Sequence, residues 1–142
     1  MFKLEKFIFF TKSYNQMILL TDQLRTVVAH SGIQNGLAAV ITMHTTTGIC
    51  VNENLDCLES DIDDALKRLV PEDIPYAHAR ILPDYGSTAG NPTGHIKSML
   101  AGNSCIFPVM EGKLVMGNAQ DVFLYEFDGP AQRTVTITVT GE

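Results

Sequence analysis

The sequence predicts an α+β fold: one compact single domain over residues 1–142, mainly antiparallel β-sheet with two or three helices. Three observations carry that expectation. The stretch RTVTITVT at 133–140 alternates strictly between apolar residues and threonine, as a strand with one polar or wet face does. Short aromatic and β-branched runs recur between turn residues, as hairpin-linked strands do. Two further segments carry apolar residues at i, i+3 and i+4, the spacing of a helix with one buried face.

In chain order, residues 4–11 are rich in aromatic and β-branched side chains and predict a strand, with a shorter one at 17–20. Thr21 reads as a helix N-cap. Leu24, Val27 and Val28 form the apolar face behind it, and Gly32 stops the helix. Residues 37–43 and 48–51 predict strands on either side of three consecutive threonines. Ser60 with Asp63 resembles a capping box. It would open a helix whose face is Ile62, Ala65, Leu66, Leu69 and Val70, and which Pro71 ends. The stretch 71–92 holds four of the six prolines and predicts mostly loop. A short helix is expected from about Gly94 to Ala101, closed by Gly102. Strands follow at 104–109, 122–127 and 133–140, with a turn at Glu111-Gly112 and a brief strand at 113–116.

Composition narrows the function classes. Hydrophobic residues make up 45 % and charged residues 18 %, so the chain is globular and not disordered. The formal net charge is −6 and no basic cluster occurs, which argues against a nucleic-acid surface. No apolar run approaches the roughly 18 residues that span a membrane. The N-terminal apolar run lacks a small-residue cleavage pattern, so it reads as a strand and the expected location is cytoplasmic. Cys50, Cys57 and Cys105 form no Cys-x-x-Cys pair and read as buried reduced thiols.

The chemistry gathers in three stretches. The first is VITMHTTTGICVNEN at 40–54, where an apolar run gives way to a histidine and three hydroxyls. Thr45, Thr46 and Thr47 supply donors, Gly48 permits close backbone approach, and His44 can move a proton near neutral pH. A threonine-rich turn with a hydrogen-bonded histidine explains the same letters. Asn52 and Glu53 follow. At a strand end they are ordinary turn residues, although Glu53 beside His44 could orient the imidazole or act as an acid or base.

The second stretch contains GSTAGNPTGHIK. His95 falls in the expected first turn of a helix, so the amides of Gly94, His95 and Ile96 could hold a phosphate, with Lys97 assisting. The loop matches neither a Walker nor a dinucleotide motif. His44, His78 and His95 all fall at loops or element edges, whereas His30 lies within a helix. Three converging imidazoles would suit zinc with an open fourth position, but their spacing matches no local metal motif. The third stretch is MGNAQDVFLYEFDGPAQR, in which Glu126 interrupts an apolar strand and needs a partner. Arg133 paired across the hairpin with Glu126 or Asp128 is slightly preferred. The functional reading has Arg133 clamping a phosphate or carboxylate at two points.

HTTTGICVNEN, the GN…GHIKSMLAG stretch and GNAQDVFLYEFDGPAQR, in this order over nearly the whole chain, resemble the YjbQ family. This chain reads Asn118-Ala119-Gln120-Asp121 where that family often has Thr-Trp-Gln-Gly, and the segment 84–88 lengthens a loop. The resemblance implies a homotrimer and a secondary thiamine-phosphate synthase activity, joining a pyrimidine pyrophosphate to a thiazole phosphate. It also implies a pocket where His44, its threonines, Asn52 and Glu53 meet the His95 segment. The expectation is therefore an enzyme acting on a phosphorylated or otherwise anionic small molecule. His44, His95 and Glu53 would be catalytic. Thr45, Thr46, Thr47, Asn52, Asn91, Gly94, Lys97, Gln120, Glu126 and Arg133 would bind substrate. A divalent ion, Zn or Mg, could sit on His44, His78 and His95, and no organic cofactor is expected. The alternatives are a three-histidine metal-dependent hydrolase or lyase, and a non-catalytic metabolite-binding trimer.

Overall fold

The computed structural model describes residues 1–78 and 91–142, so the inserted loop at 84–88 lies outside the described residues. Along the chain run β1 (Phe2–Phe10), β2 (Gln16–Leu19), α1 (Thr21–Ser31), β3 (Gly36–Thr42), β4 (Thr47–Asn52) and α2 (Asp56–Leu69). Then come α3 (Pro92–Ala101), β5 (Ser104–Met110), β6 (Lys113–Leu114), β7 (Asp121–Glu126) and β8 (Gln132–Gly141). The strands form two antiparallel sheets, a five-stranded one ordered β1-β8-β3-β5-β6 and a three-stranded one ordered β2-β7-β4.

The alternation of β8 does what the pattern predicts. Arg133, Val135, Ile137 and Val139 point inward, and the threonines between them face out. In β7 both edges are paired, to β2 and β4, and both faces are buried: Val122 and Leu124 enter the core, while Tyr125 on the opposite face donates to Asp63 of α2 (3.3 Å). The core joins Leu20, Leu24, Val27 and Val28 around α1 to Val40 of β3, Leu124 of β7 and Ile137 of β8. α1 thus lies over the inner faces of both sheets, and its amphipathic spacing is set by that contact.

Three helix starts differ from the sequence reading. Thr21 is the first helical residue and not the cap. Its hydroxyl donates to Asp121 (2.7 Å) and accepts the Val122 N–H (2.9 Å), so it is spent on β7. α2 begins at Asp56, a turn before Ser60, and its cap Leu55 makes no side-chain capping bond. α3 begins at Pro92, which has no N–H to lose and a ring already set for the first turn. The Gly32 stop is as read, with φ 75° in the left-handed region.

Candidate functional site

The β3–β4 corner is built by its threonines. Thr42 and Thr47 are buried and share a hydroxyl–hydroxyl bond of 2.6 Å, which ties the end of one sheet to the start of the other. Thr46 is also buried. Its hydroxyl accepts from Arg133 Nη2 (2.8 Å) and its carbonyl accepts the Phe127 N–H (3.1 Å). Thr45 alone of the three is exposed. The corner runs beside the start of β8. There the Met43 N–H donates to the Thr134 carbonyl (3.2 Å), and the Thr134 N–H donates to His44 Nε2 (2.8 Å).

Against this corner lies α3. Gly94 is pressed so close that an added Cβ would lie 3.1 Å from the Phe127 carbonyl oxygen and 3.4 Å from Thr46 Cγ2. Its other end is clamped by the Ile49 N–H, which donates to the Gly102 carbonyl (3.0 Å). His95 projects toward the corner, with Nδ1 3.2 Å from the Thr45 carbonyl. An open cleft of about 490 Å³ runs between the elements, lined by His44, Thr45, His95, Ser98 and Asn103. One nitrogen of each imidazole is tied to backbone. The other, His44 Nδ1 or His95 Nε2, has no partner among the described residues and is not enclosed.

Behind His44 sits a buried ion pair. Glu126 is fully buried and accepts from Arg133 Nε (2.8 Å) and Nη2 (2.7 Å), from the Thr11 hydroxyl (2.7 Å) and from the Asp128 N–H (3.1 Å). Burial pushes its carboxyl up, but the Arg133, Thr11 and Asp128 bonds outweigh that and hold it below the usual carboxylate value. Arg133 is thereby paired with Glu126, the pairing slightly preferred from the sequence, and no Lys, Arg, Asp or Glu among the described residues lines the cleft. Burial of the His44 ring, reinforced by the Arg133 guanidinium and only partly opposed by Glu126, holds that imidazole below its usual value.

His78 reaches His95 on the far side, ring centroids 5.1 Å apart and edge to face. The two share a second cavity of about 370 Å³ with Tyr76, Pro92 and Ile96. His78 Nδ1 is buried with no partner among the described residues. A metal ligand must present an unprotonated nitrogen to the ion. His44 does not, because its Nε2 lone pair receives the Thr134 N–H and the ring proton is therefore on Nδ1. Among the described residues no three His, Cys, Asp or Glu side chains group as a metal site.

The sequence matches the family described as UPF0047 protein YjbQ-like over residues 5–142. The chain belongs to that family. A UPF0047 protein of Methanothermobacter thermautotrophicus is 35 % identical over 127 residues, covering 89 % of this chain and 84 % of the relative. The YugU protein of Bacillus subtilis is 34 % identical over 131 residues, covering 92 % and 94 %. Among solved structures, a YbjQ-like protein of unknown function from Sulfolobus solfataricus P2 is similar at a TM-score of 0.91 and 30 % identity, covering 100 % of this chain and 99 % of that one.

In this YjbQ-like chain, several residues expected in the pocket lie elsewhere. The His95 N–H is bonded to the Asn91 carbonyl (3.3 Å), so it is not free to cradle an anion. Lys97 is only 1 % exposed and turns to Glu72 (3.6 Å) and the Tyr14 ring (6.0 Å), away from the cleft rim. Gln120 folds onto its own turn and accepts the Gly117 N–H (2.8 Å). Asn52 is exposed and accepts the Glu53 N–H (2.8 Å), while Glu53 faces solvent with no bond to His44. Asn91 holds Asp128 through Nδ2 (2.9 Å). Cys57 is exposed rather than buried, on the solvent side of α2. Burial pushes Cys50 and Cys105 up to about 11, so neither is a thiolate nucleophile near neutral pH.

Ser98 and Asn103 were missed as cleft residues, and so was the Thr134 amide that fixes His44. Ser98 was findable, since it follows His95 by one helical turn.

The lowered His44 value has a consequence for stability. Above about pH 6.5 the ring is neutral in both folded and unfolded chains, so nothing is lost. As pH falls below that, the unfolded chain takes up a proton that the folded one resists, and stability falls until the folded-state value is passed. Urea midpoints across a pH series should therefore drop from about pH 6.5 downward, and His44→Gln should flatten that part of the curve. The Glu126 contribution is lost separately, as pH falls below about 4.3.

Proposed function

We propose that the protein is a small-molecule enzyme acting on a phosphorylated or otherwise anionic substrate in the cleft between His44 and His95. The observation that supports this reading most is that two imidazoles line one open cleft, each tied to backbone by one nitrogen and open at the other. The Thr45 hydroxyl and the Asn103 amide add donors at the same rim. Secondary thiamine-phosphate synthase activity is the most specific form of the proposal, and it rests on the family resemblance. A metal-dependent hydrolase or lyase is favoured by one observation, the contact between His78 and His95. It requires His44 to release the Thr134 N–H and turn its ring.

Homotrimer assembly is part of the proposal. The outer face of the five-stranded sheet leaves Phe10 70 % and Ile106 63 % exposed, with Phe2, Leu4, Ile8 and Met110. An apolar face of that kind suits packing against further copies. No helix among the described residues is long and apolar enough to cross a membrane.

The test is a thermal-shift screen against phosphorylated metabolites, with product analysis of each hit. Stabilisation with turnover, lost in His95→Ala, supports an enzyme. Stabilisation without product supports the metabolite-binding alternative, and no hit at all counts against the anion reading.

A further inference from the structure

The two histidines of the cleft are held in opposite senses. A backbone N–H can only donate, so the Thr134 N–H at 2.8 Å requires His44 Nε2 to be bare and places the ring proton of neutral His44 on Nδ1. A backbone carbonyl can only accept, so the Thr45 oxygen at 3.2 Å requires His95 Nδ1 to carry the proton and leaves Nε2 bare. His44 therefore offers the cleft an N–H donor, and His95 offers it a lone pair. Neither is free to exchange roles without breaking its backbone bond. Among the described residues the charges acting on His44, Arg133 and Glu126, add no third demand, because they are bonded to each other at 2.7 and 2.8 Å.

We infer that the cleft recognises a phosphate monoester as its monoanion, with His44 Nδ1–H donating to one phosphoryl oxygen and His95 Nε2 accepting from the P–OH. This rests on the reading of the cleft as a site for anionic substrates and names the class. A hydrogen-phosphate group carries an acceptor oxygen and an O–H side by side, which is what one fixed donor and one fixed acceptor match. A fully ionised phosphate has no proton for His95, and among the described residues no lysine or arginine lines the cleft to offset its second charge. When the proton moves, the O–H bond of the P–OH group breaks heterolytically, its electron pair stays on the phosphoryl oxygen, His95 becomes imidazolium, and the phosphate becomes a dianion. His44 then stabilises the new charge as a neutral donor and is not the base. His95 is the base.

The ring nitrogens can be read directly. Two-bond ¹⁵N–¹H correlation spectra of labelled full-length protein, assigned with His44→Gln and His95→Gln, should show both rings as the Nδ1–H tautomer without ligand. Adding inorganic phosphate should shift His95 Nε2 toward its protonated position and His44 Nδ1–H downfield. His44→Asn keeps an amide donor at the Nδ1 position, whereas His44→Leu keeps none. The leucine variant should therefore bind phosphate more weakly than the asparagine variant, by roughly tenfold, the worth of one hydrogen bond to a charged group. An Nε2–H tautomer at either ring overturns the inference, and so do phosphate-insensitive rings. If phosphorylated metabolites still stabilise the protein in those cases, the anionic-substrate reading survives and only this division of roles fails. If the tautomers are as assigned and no phosphorylated compound binds, both the anion reading and the class named here fall.

Discussion

Glu126→Gln should destabilise the protein by about 3–5 kcal/mol, the usual cost of stranding one partner of a buried ion pair. The carboxylate is fully buried and is the acceptor for Arg133, for Thr11 at the end of β1, and for the Asp128 N–H. It thereby fastens the end of β7 in the three-stranded sheet to β1 and β8 in the five-stranded one. Removing its charge leaves the Arg133 guanidinium buried without its counter-ion. Urea unfolding of Glu126→Gln, Arg133→Met and the double variant tests the pair. The double variant should lose less than the sum of the singles, because no charge is then left buried. Additive losses would show that the two side chains act independently.

Gly48→Ala should cost about 1–3 kcal/mol by overpacking, and it should disturb the cleft as well as the fold. An added Cβ would stand 2.6 Å from Ala101 Cβ and 3.2 Å from the Gly102 carbonyl oxygen, so α3 must move off β4. That movement pulls His95 from the Thr45 carbonyl, a bond already at 3.2 Å. Ala101→Gly removes the closest contact, and the double variant should recover part of the loss, less the roughly 1 kcal/mol that glycine costs in a helix. Melting curves check the stability, and the His95 ring resonances check the cleft. A Gly48→Ala protein with wild-type stability and unmoved His95 signals would mean that α3 does not need this close approach.

Much of the fold was legible because its signals are local. Strict alternation in β8 gave the buried set Val135, Ile137 and Val139, and Gly32 marked the end of α1. Helix starts were harder. The Thr21 hydroxyl looks like a cap in sequence, but a residue a hundred positions away, Asp121, takes it. Pro92 rather than Gly94 opens α3, and that shift of two residues places the His95 amide in the helix's own bonding, out of the cradle expected there. The division into two sheets had no signature in any one segment, since it depends on which strands pair. The same holds for the site. The Glu126–Arg133 pair could be suspected from a carboxylate inside an apolar strand. The lock on His44 could not, because its partner is a backbone amide of β8. Lys97 looked like an anion ligand by position, yet tertiary packing turned it toward Glu72 and Tyr14.

The most direct test of a histidine-lined anion cleft is turnover of a pyrimidine pyrophosphate with a thiazole phosphate by wild-type and His95→Asn protein, with folding of both verified by circular dichroism. Wild-type product with released pyrophosphate, falling at least about 100-fold in His95→Asn, is the expected result for a group acting in proton transfer. Equal turnover by the two proteins would contradict it and place the chemistry outside this cleft.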